Sequence, residues 1–371
     1  MNDRIRGLGL TASAAEFVAA VVRPDVRAQK AYVVAAAEGM IKLDANENAL
    51  PLPDAVKARV AAALAQVPLN RYPDGTADAA RATLRRALGI PDALGLIVGN
   101  GSDELIQLVV SALARPGATV LAPEPTFVMY RVNTLNAGLR FVAVALKPDL
   151  TLDRAAMQEA IERERPAVIF LASPNNPTGT RYAAADIEAM IHAAPGLVVL
   201  DEAYVPFADD SFLDRVGEFP NLLLLGTLSK VGMAGIRLGY AVAASEWIVE
   251  LNKVRPPYNV NSLTQAAVGA LLTETGWIAE QAAAIRAERQ RVAARLAQLP
   301  GVTVFPSQAN FLLVRVVGAD RVFDGLKAKR ILVKNVGGGH PLLLNCLRIT
   351  VGTPDENDLL LAAMADLCNK P

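Results

Sequence analysis

Seven short apolar runs, at 94–98, 119–122, 139–146, 167–172, 197–200, 222–225 and 240–243, constrain this chain more than any other feature. Most are continuously apolar rather than alternating, the pattern of strands covered on both faces. The segments between them have helical spacing. In 103–114, Leu105, Leu108, Val109, Ala112 and Leu113 fall at i, i+3, i+4, i+7 and i+8, one stripe of a helix. Such alternation predicts an α/β domain with a mostly parallel sheet and helices on both faces.

After Arg255-Pro256-Pro257 the pattern changes. A long helix is expected over 276–299, with Ile278, Ile285, Val292 and Leu299 at seven-residue intervals and Pro300-Gly301 as its stop. Strands are expected near 302–305, 311–316, 331–334 and 347–351. A last helix opens at Thr353-Pro354-Asp355-Glu356, which supplies an N-cap, a first-turn proline and a capping-box glutamate. This part reads as a smaller α+β domain. The expected division is an arm at 1–40 with an amphipathic helix at 14–22, a large domain at 66–265, and a discontinuous small domain at 41–65 and 266–371.

With 37 basic and 37 acidic residues, the chain offers no electrostatic footprint for nucleic acid or anionic lipid. Cys346 and Cys368 form no C-x-x-C pair, as expected in a reducing compartment. Only His192 and His340 are available, too few for a histidine-rich metal site. No stretch is long and uncharged enough to span a bilayer. A soluble cytoplasmic protein without a metal is expected.

In an open parallel sheet, ligands bind outside the carboxyl ends of the strands, and there the unusual polar residues of this chain fall. The first run ends in Gly99-Asn100-Gly101-Ser102-Asp103, where glycines allow close approach and a helix start favours a phosphate. Later runs end in Pro125-Thr126-Phe127, an aromatic, and in Ser173-Pro174-Asn175-Asn176-Pro177-Thr178-Gly179, a proline-braced amide. Asp201-Glu202-Ala203-Tyr204 brings a carboxylate that is costly to bury unless paired. The run at 222–225 leads into Thr227-Leu228-Ser229-Lys230, with Arg237 seven residues on. Desolvation of an amine at such a strand end leaves it nucleophilic, as a Schiff-base lysine requires. Phosphate cup, aromatic plate, amide, buried acid and lysine together match pyridoxal 5′-phosphate (PLP). Dinucleotide binding fits worse, because the glycine turn lacks a third glycine and no acid follows at the ribose position.

The motifs at 173–179, 201–204 and 227–230, with Gly235-Ile236-Arg237-Leu238-Gly239-Tyr240, resemble those of the fold-type-I PLP-dependent aminotransferases. Leu43-Asp44-Ala45-Asn46-Glu47-Asn48, Arg71-Tyr72-Pro73-Asp74, Arg255-Pro256-Pro257-Tyr258-Asn259 and Asn345-Cys346-Leu347-Arg348 are similar, within them, to the histidinol-phosphate aminotransferase family. That resemblance, from about residue 22 onward, implies transamination between L-histidinol phosphate and 2-oxoglutarate, giving imidazole-acetol phosphate and L-glutamate in histidine biosynthesis. It implies that Lys230 holds the cofactor and shuttles the proton, and that Asp201 pairs with the pyridine nitrogen. Asn176 and Tyr204 would bond the ring oxygen, and Phe127 would stack on the ring. Gly101, Ser102, Asp103, Thr227, Ser229 and Arg237 would surround the phosphate. Tyr72 would reach the phosphate of a neighbouring subunit, which implies a homodimer with shared sites. Arg348 would bind the substrate carboxylate, a planar fork that suits a carboxylate or a phosphate. Tyr32, Glu47 and Tyr258 would line the substrate pocket, with Lys334 where many relatives carry arginine. The Lys230–Arg237 spacing is one residue shorter than in many relatives. An aromatic aminotransferase and a phosphothreonine decarboxylase of the same fold remain alternatives, as does a non-catalytic PLP-binding regulator.

Overall fold

The computed structural model describes residues 13–31 and 35–369. Near the N-terminus a helix at Ala14–Val21 is closed by a capping box between Ser13 and Glu16, at the place where the amphipathic arm is expected. A two-residue strand, β1 (Ile41–Lys42), and a helix at Asp54–Ala65 lead into the main sheet.

All seven apolar runs are strands: β2 (Leu94–Asn100), β3 (Thr119–Glu124), β4 (Arg140–Ala145), β5 (Val168–Ala172), β6 (Leu197–Asp201), β7 (Leu222–Thr227) and β8 (Leu238–Ala244). They form one sheet in the order β2-β8-β7-β6-β5-β3-β4. Along β7, Leu222 and Leu224 enter one core while Leu223 and Leu225 enter the other. The period of two thus buries every residue, because helices cover both faces. The departure from parallel pairing is β8, antiparallel to both β2 and β7. Its cause is local. The chain leaves β7 and re-enters the sheet through the short turn 228–237, too short for the crossover that a parallel neighbour needs. That turn therefore stays at the rim where β7 ends, and it carries Lys230 and Arg237.

The second sheet is antiparallel throughout, in the order β12-β13-β10-β9: β9 (Val302–Val304), β10 (Phe311–Val316), β12 (Lys334–Asn335) and β13 (Cys346–Thr350). A further strand, β11 (Ile331–Leu332), pairs in parallel with β1. The run expected at 331–334 is thus split between two sheets, with Val333 at the break. The long helix spans Gly276–Leu296. It gives Val292 and Leu296 to the small core and Ile285 to a cluster with Tyr204, Phe207 and Phe311 that joins the two parts. The final helix, Pro354–Cys368, has the Thr353/Glu356 capping box read from the sequence. Leu43 lies in the small core, whereas Val56, Val60 and Leu64 pack on the large one. We infer that the chain changes domain between Leu43 and Leu52 rather than at residue 65. Among the described residues, no helix is long and apolar enough to cross a membrane.

Candidate active site

A cavity of about 530 Å³ opens where β2, β5, β6 and β7 end and β13 approaches. At one side lies the start of the helix Ser102–Ala112. Gly101 precedes it at φ +83°, a left-handed backbone that suits glycine. A β-carbon at Gly101 would sit 2.7 Å from Arg237 Nη2, and one at Gly239 only 2.4 Å from the Ser102 nitrogen. Two segments therefore close on each other: backbone meets backbone at Gly239, and the Arg237 guanidinium lies against the Gly101 backbone. Gly101 cannot cap the helix through a side chain, so its first-turn N–H groups are available for an anion. Arg237 reaches this cup, with Nη2 3.8 Å from Asp103 Oδ2. Its own backbone is left-handed, at φ 53°, so with a spacing of seven residues from Lys230 it still reaches the cup. Thr227 and Ser229 form the adjoining wall, Oγ1 to Oγ 2.9 Å apart, and the Ser229 N–H donates to Thr227 Oγ1 (3.1 Å).

Asp201 ends β6 in an almost wholly buried position. Burial pushes its carboxyl up to about 6, opposed by two donors. The Tyr130 hydroxyl donates to Oδ2 (2.6 Å) and the Ala203 N–H to Oδ1 (3.0 Å). Tyr130 is itself fully buried, stacked on Phe170 at 4.5 Å and meeting Phe127 edge-on at 5.6 Å. Between acid and cup, Lys230 Nζ donates to the Ala45 carbonyl (3.2 Å) and lies 5.8 Å from the Tyr204 ring centre. Tyr204 accepts from Asn46 Nδ2 (2.9 Å).

Of the paired asparagines, Asn175 is structural. Its amide bonds Pro125 O, Thr126 Oγ1 and Thr178 Oγ1 and so ties the 173–179 turn to the Phe127 segment. Asn176 faces the cavity and accepts from Arg348 Nη1 (2.5 Å), while Arg348 Nη2 donates to the Asp44 carbonyl (2.6 Å). Lys334 stands directly across from Arg348 in the β12–β13 register, so two cations share this wall.

The structure thus gathers Lys230, Asp201, Tyr204, Asn176, Ser102, Asp103, Phe127, Thr227, Ser229, Arg237, Lys334 and Arg348 around one cavity, with Gly101 at its edge. Glu47 is half exposed and paired with Lys42 instead. Tyr72, 81% exposed, stacks on Tyr258 at 4.6 Å outside the cavity. Tyr32 lies outside the described residues. Two site residues carried no expected role, Tyr130 and Asn46. Asn46 stood in the polar cluster 43–49, and its chemistry was visible there. Tyr130 had no signal, because one tyrosine in a helix reads as core.

The chain belongs to the class I and II aminotransferase family, whose model matches residues 38–364. Within that family it is 58% identical over 344 residues to a histidinol-phosphate aminotransferase of Chromobacterium violaceum, covering 93% of this chain and 97% of that one. Histidinol-phosphate aminotransferase 1 of Ralstonia nicotianae is 53% identical over 350 residues, covering 93% and 94%. Among solved structures, a histidinol-phosphate aminotransferase from Sinorhizobium meliloti in complex with pyridoxal-5′-phosphate superposes with a TM-score of 0.85. Its identity is 25%, and the match covers 97% of this chain and 99% of that one.

Proposed function

We propose that this chain is a PLP-dependent aminotransferase that moves an amino group between L-histidinol phosphate and 2-oxoglutarate. The observation that carries the reading is one cavity holding an uncapped helix start, a buried acid and a strand-end lysine, in a chain 58% identical to a histidinol-phosphate aminotransferase. The residues fit the cofactor. The Gly101–Gly239 approach leaves backbone donors for its phosphate, and Asp201 offers a carboxylate in an apolar setting for a ring N–H.

When bound, PLP supplies an electron sink and an amino-group carrier. The protein supplies position and protons. Lys230 Nζ would hold the cofactor and, once the incoming amine had displaced it, would be free to move the proton at the substrate carbon. Asp201 would hold a protonated ring nitrogen, and Tyr130 keeps Asp201 oriented. Arg237, Ser102, Thr227 and Ser229 would bind the phosphate, Phe127 would cover the ring, and Asn176 and Tyr204 would meet its ring oxygen. Arg348 presents two nitrogens to whichever anion the substrate carries, carboxylate or phosphate, so one pocket serves both half-reactions. Lys334 adds a point charge beside it. The exposed Tyr72–Tyr258 pair supports a homodimer in which this patch completes the partner's site. Tyr32 and Glu47 remain in the reading as substrate-side residues.

The test is a panel of amino donors with 2-oxoglutarate as acceptor. Histidinol phosphate is expected to give the highest kcat/KM; aromatic amino acids ahead by orders of magnitude would sink the substrate assignment. Carbon dioxide release without use of 2-oxoglutarate would replace transamination by decarboxylation.

A further inference from the structure

Asn46 is 1% exposed and sits at φ 55°, a left-handed conformation that asparagine tolerates better than most residues. Its groups are taken up from several directions. The backbone N–H donates to Thr350 Oγ1 (3.0 Å), the carbonyl accepts from Asn310 Nδ2 (3.0 Å), Oδ1 accepts from Thr350 Oγ1 (3.2 Å), and Nδ2 donates to Tyr204 Oη (2.9 Å). The order of these bonds has a direction. Thr350 is buried, and among the described residues Asn46 Oδ1 is the acceptor for its proton; with the amide reversed, that O–H would be left without one. An amide whose oxygen is fixed in this way must turn its NH₂ the other way, toward Tyr204. Tyr204 then accepts from Asn46 and cannot give its proton back along the same line.

We propose that Asn46 is a positioning residue that sets the polarity of Tyr204: the Thr350–Asn46 pair makes the phenol an acceptor on its outer side, so that its O–H points into the cavity. The inference rests on the function proposed above and deepens it, because the group waiting in the cavity is the ring oxygen of the cofactor. A hydrogen bond donated there favours the ionised oxygen and lowers the pH at which the Lys230-bound chromophore loses its proton. The charged groups that line this cavity are Lys230 and Arg237 from the turn after β7, Asp201 from β6, Asp103 from the helix after β2, Asp44 beside Asn46, and Lys334 and Arg348 from the small sheet; none is altered in the test, and the Tyr204→Phe background controls for the charge that Asn46→Asp adds. Asn46 thereby gives the small sheet control over a donor that belongs to the large one.

The experiment is a visible-absorbance pH titration of the PLP-loaded protein, comparing wild type, Asn46→Asp, Tyr204→Phe and the double variant. Aspartate has the same shape but offers no donor, so the Tyr204 proton should turn toward it. The titration midpoint should rise by about one pH unit, as in Tyr204→Phe. Asn46→Asp should then add little on the Tyr204→Phe background, because both changes remove the same bond. A wild-type midpoint in Asn46→Asp, or an equal shift with and without the phenol, overturns the proposal. Should Asn46→Asp fail to fold by thermal melting, Asn46→Gly keeps the positive φ and removes the amide. Its midpoint should rise by a smaller amount, and an unchanged value overturns the proposal equally. Failure of the functional reading looks different: wild type freed of unbound PLP by desalting would then keep no visible band at all.

Discussion

Single side chains decide whether this cavity can do chemistry. In the proposed function Lys230→Ala removes the amine that holds the cofactor, so the band of the lysine-bound cofactor, read after desalting, and turnover should both vanish. A band unchanged in the variant would take Lys230 out of the mechanism. Asp201 must be charged to hold a protonated ring nitrogen, and burial works against that charge. Its carboxyl is up at about 6, with Tyr130 and Ala203 holding it down. Cofactor affinity of the apoprotein should therefore weaken as pH falls through about 6. In Tyr130→Phe, one stabilising bond is lost and that midpoint should move higher, read by fluorescence titration across pH. The next residue, Glu202, is also buried and is pushed up to about 7, despite bonds from Ser211 Oγ and the Phe212 N–H. A carboxyl raised in the fold contributes stability that is complete below its unfolded value, near 4.5, and is lost as pH rises through about 7. Glu202→Gln should flatten that decline. Relative to wild type, it should gain about 2–3 kcal/mol at pH 8 over its value at pH 4, measured by urea unfolding. Parallel unfolding curves at all pH values would contradict the assignment.

At the scale of elements, the strands were legible because a doubly covered strand has no polar face to hide. Seven runs gave seven strands, and Leu222 to Leu225 alternate between two cores as continuous burial requires. The last helix was legible from its cap, and Thr353→Ala should cost about 1 kcal/mol by thermal or urea unfolding. The antiparallel sense of β8 was not legible. Apolar runs do not carry direction, and only the shortness of 228–237, read with the pairing in hand, explains it. For the same reason the contacts of Arg237 could not be fixed by counting from Lys230. They depend on the left-handed turn at Arg237 and on the missing β-carbons of Gly101 and Gly239. Asn46 and Tyr130 escaped notice because their roles lie in bonds to residues 304 and 71 positions away.

For the molecule as a whole, the cavity draws on both parts of the chain. The groups proposed to hold the cofactor stand at the ends of the large sheet's strands. Arg348 and Lys334 come from the small one, and Asn46 from the segment that crosses between them. In the proposed homodimer, the exposed Tyr72–Tyr258 pair would extend this sharing to a second copy. If Tyr72 acts across the dimer, mixing Lys230→Ala with Tyr72→Ala protein should restore activity above either alone, through mixed dimers with one intact site. No recovery after verified subunit exchange would confine Tyr72 to its own chain.

The return of the chain through 228–237 also bears on how such a site can change over time. Thr227 and Gly239 are partners in the β7–β8 ladder, so the two ends of this turn are pinned a strand's width apart. An added or deleted residue cannot be absorbed by sliding either strand, since a one-step slip would turn every leucine of β7 to the opposite face. Length variation must be taken up inside the turn, by backbone conformations such as the left-handed Arg237. The sheet therefore fixes the two anchors of the arm, and the conformation of the residues between them decides where the Lys230 amine and the Arg237 guanidinium stand. Sequence drift can reshape that arm while its anchors stay where the ladder holds them.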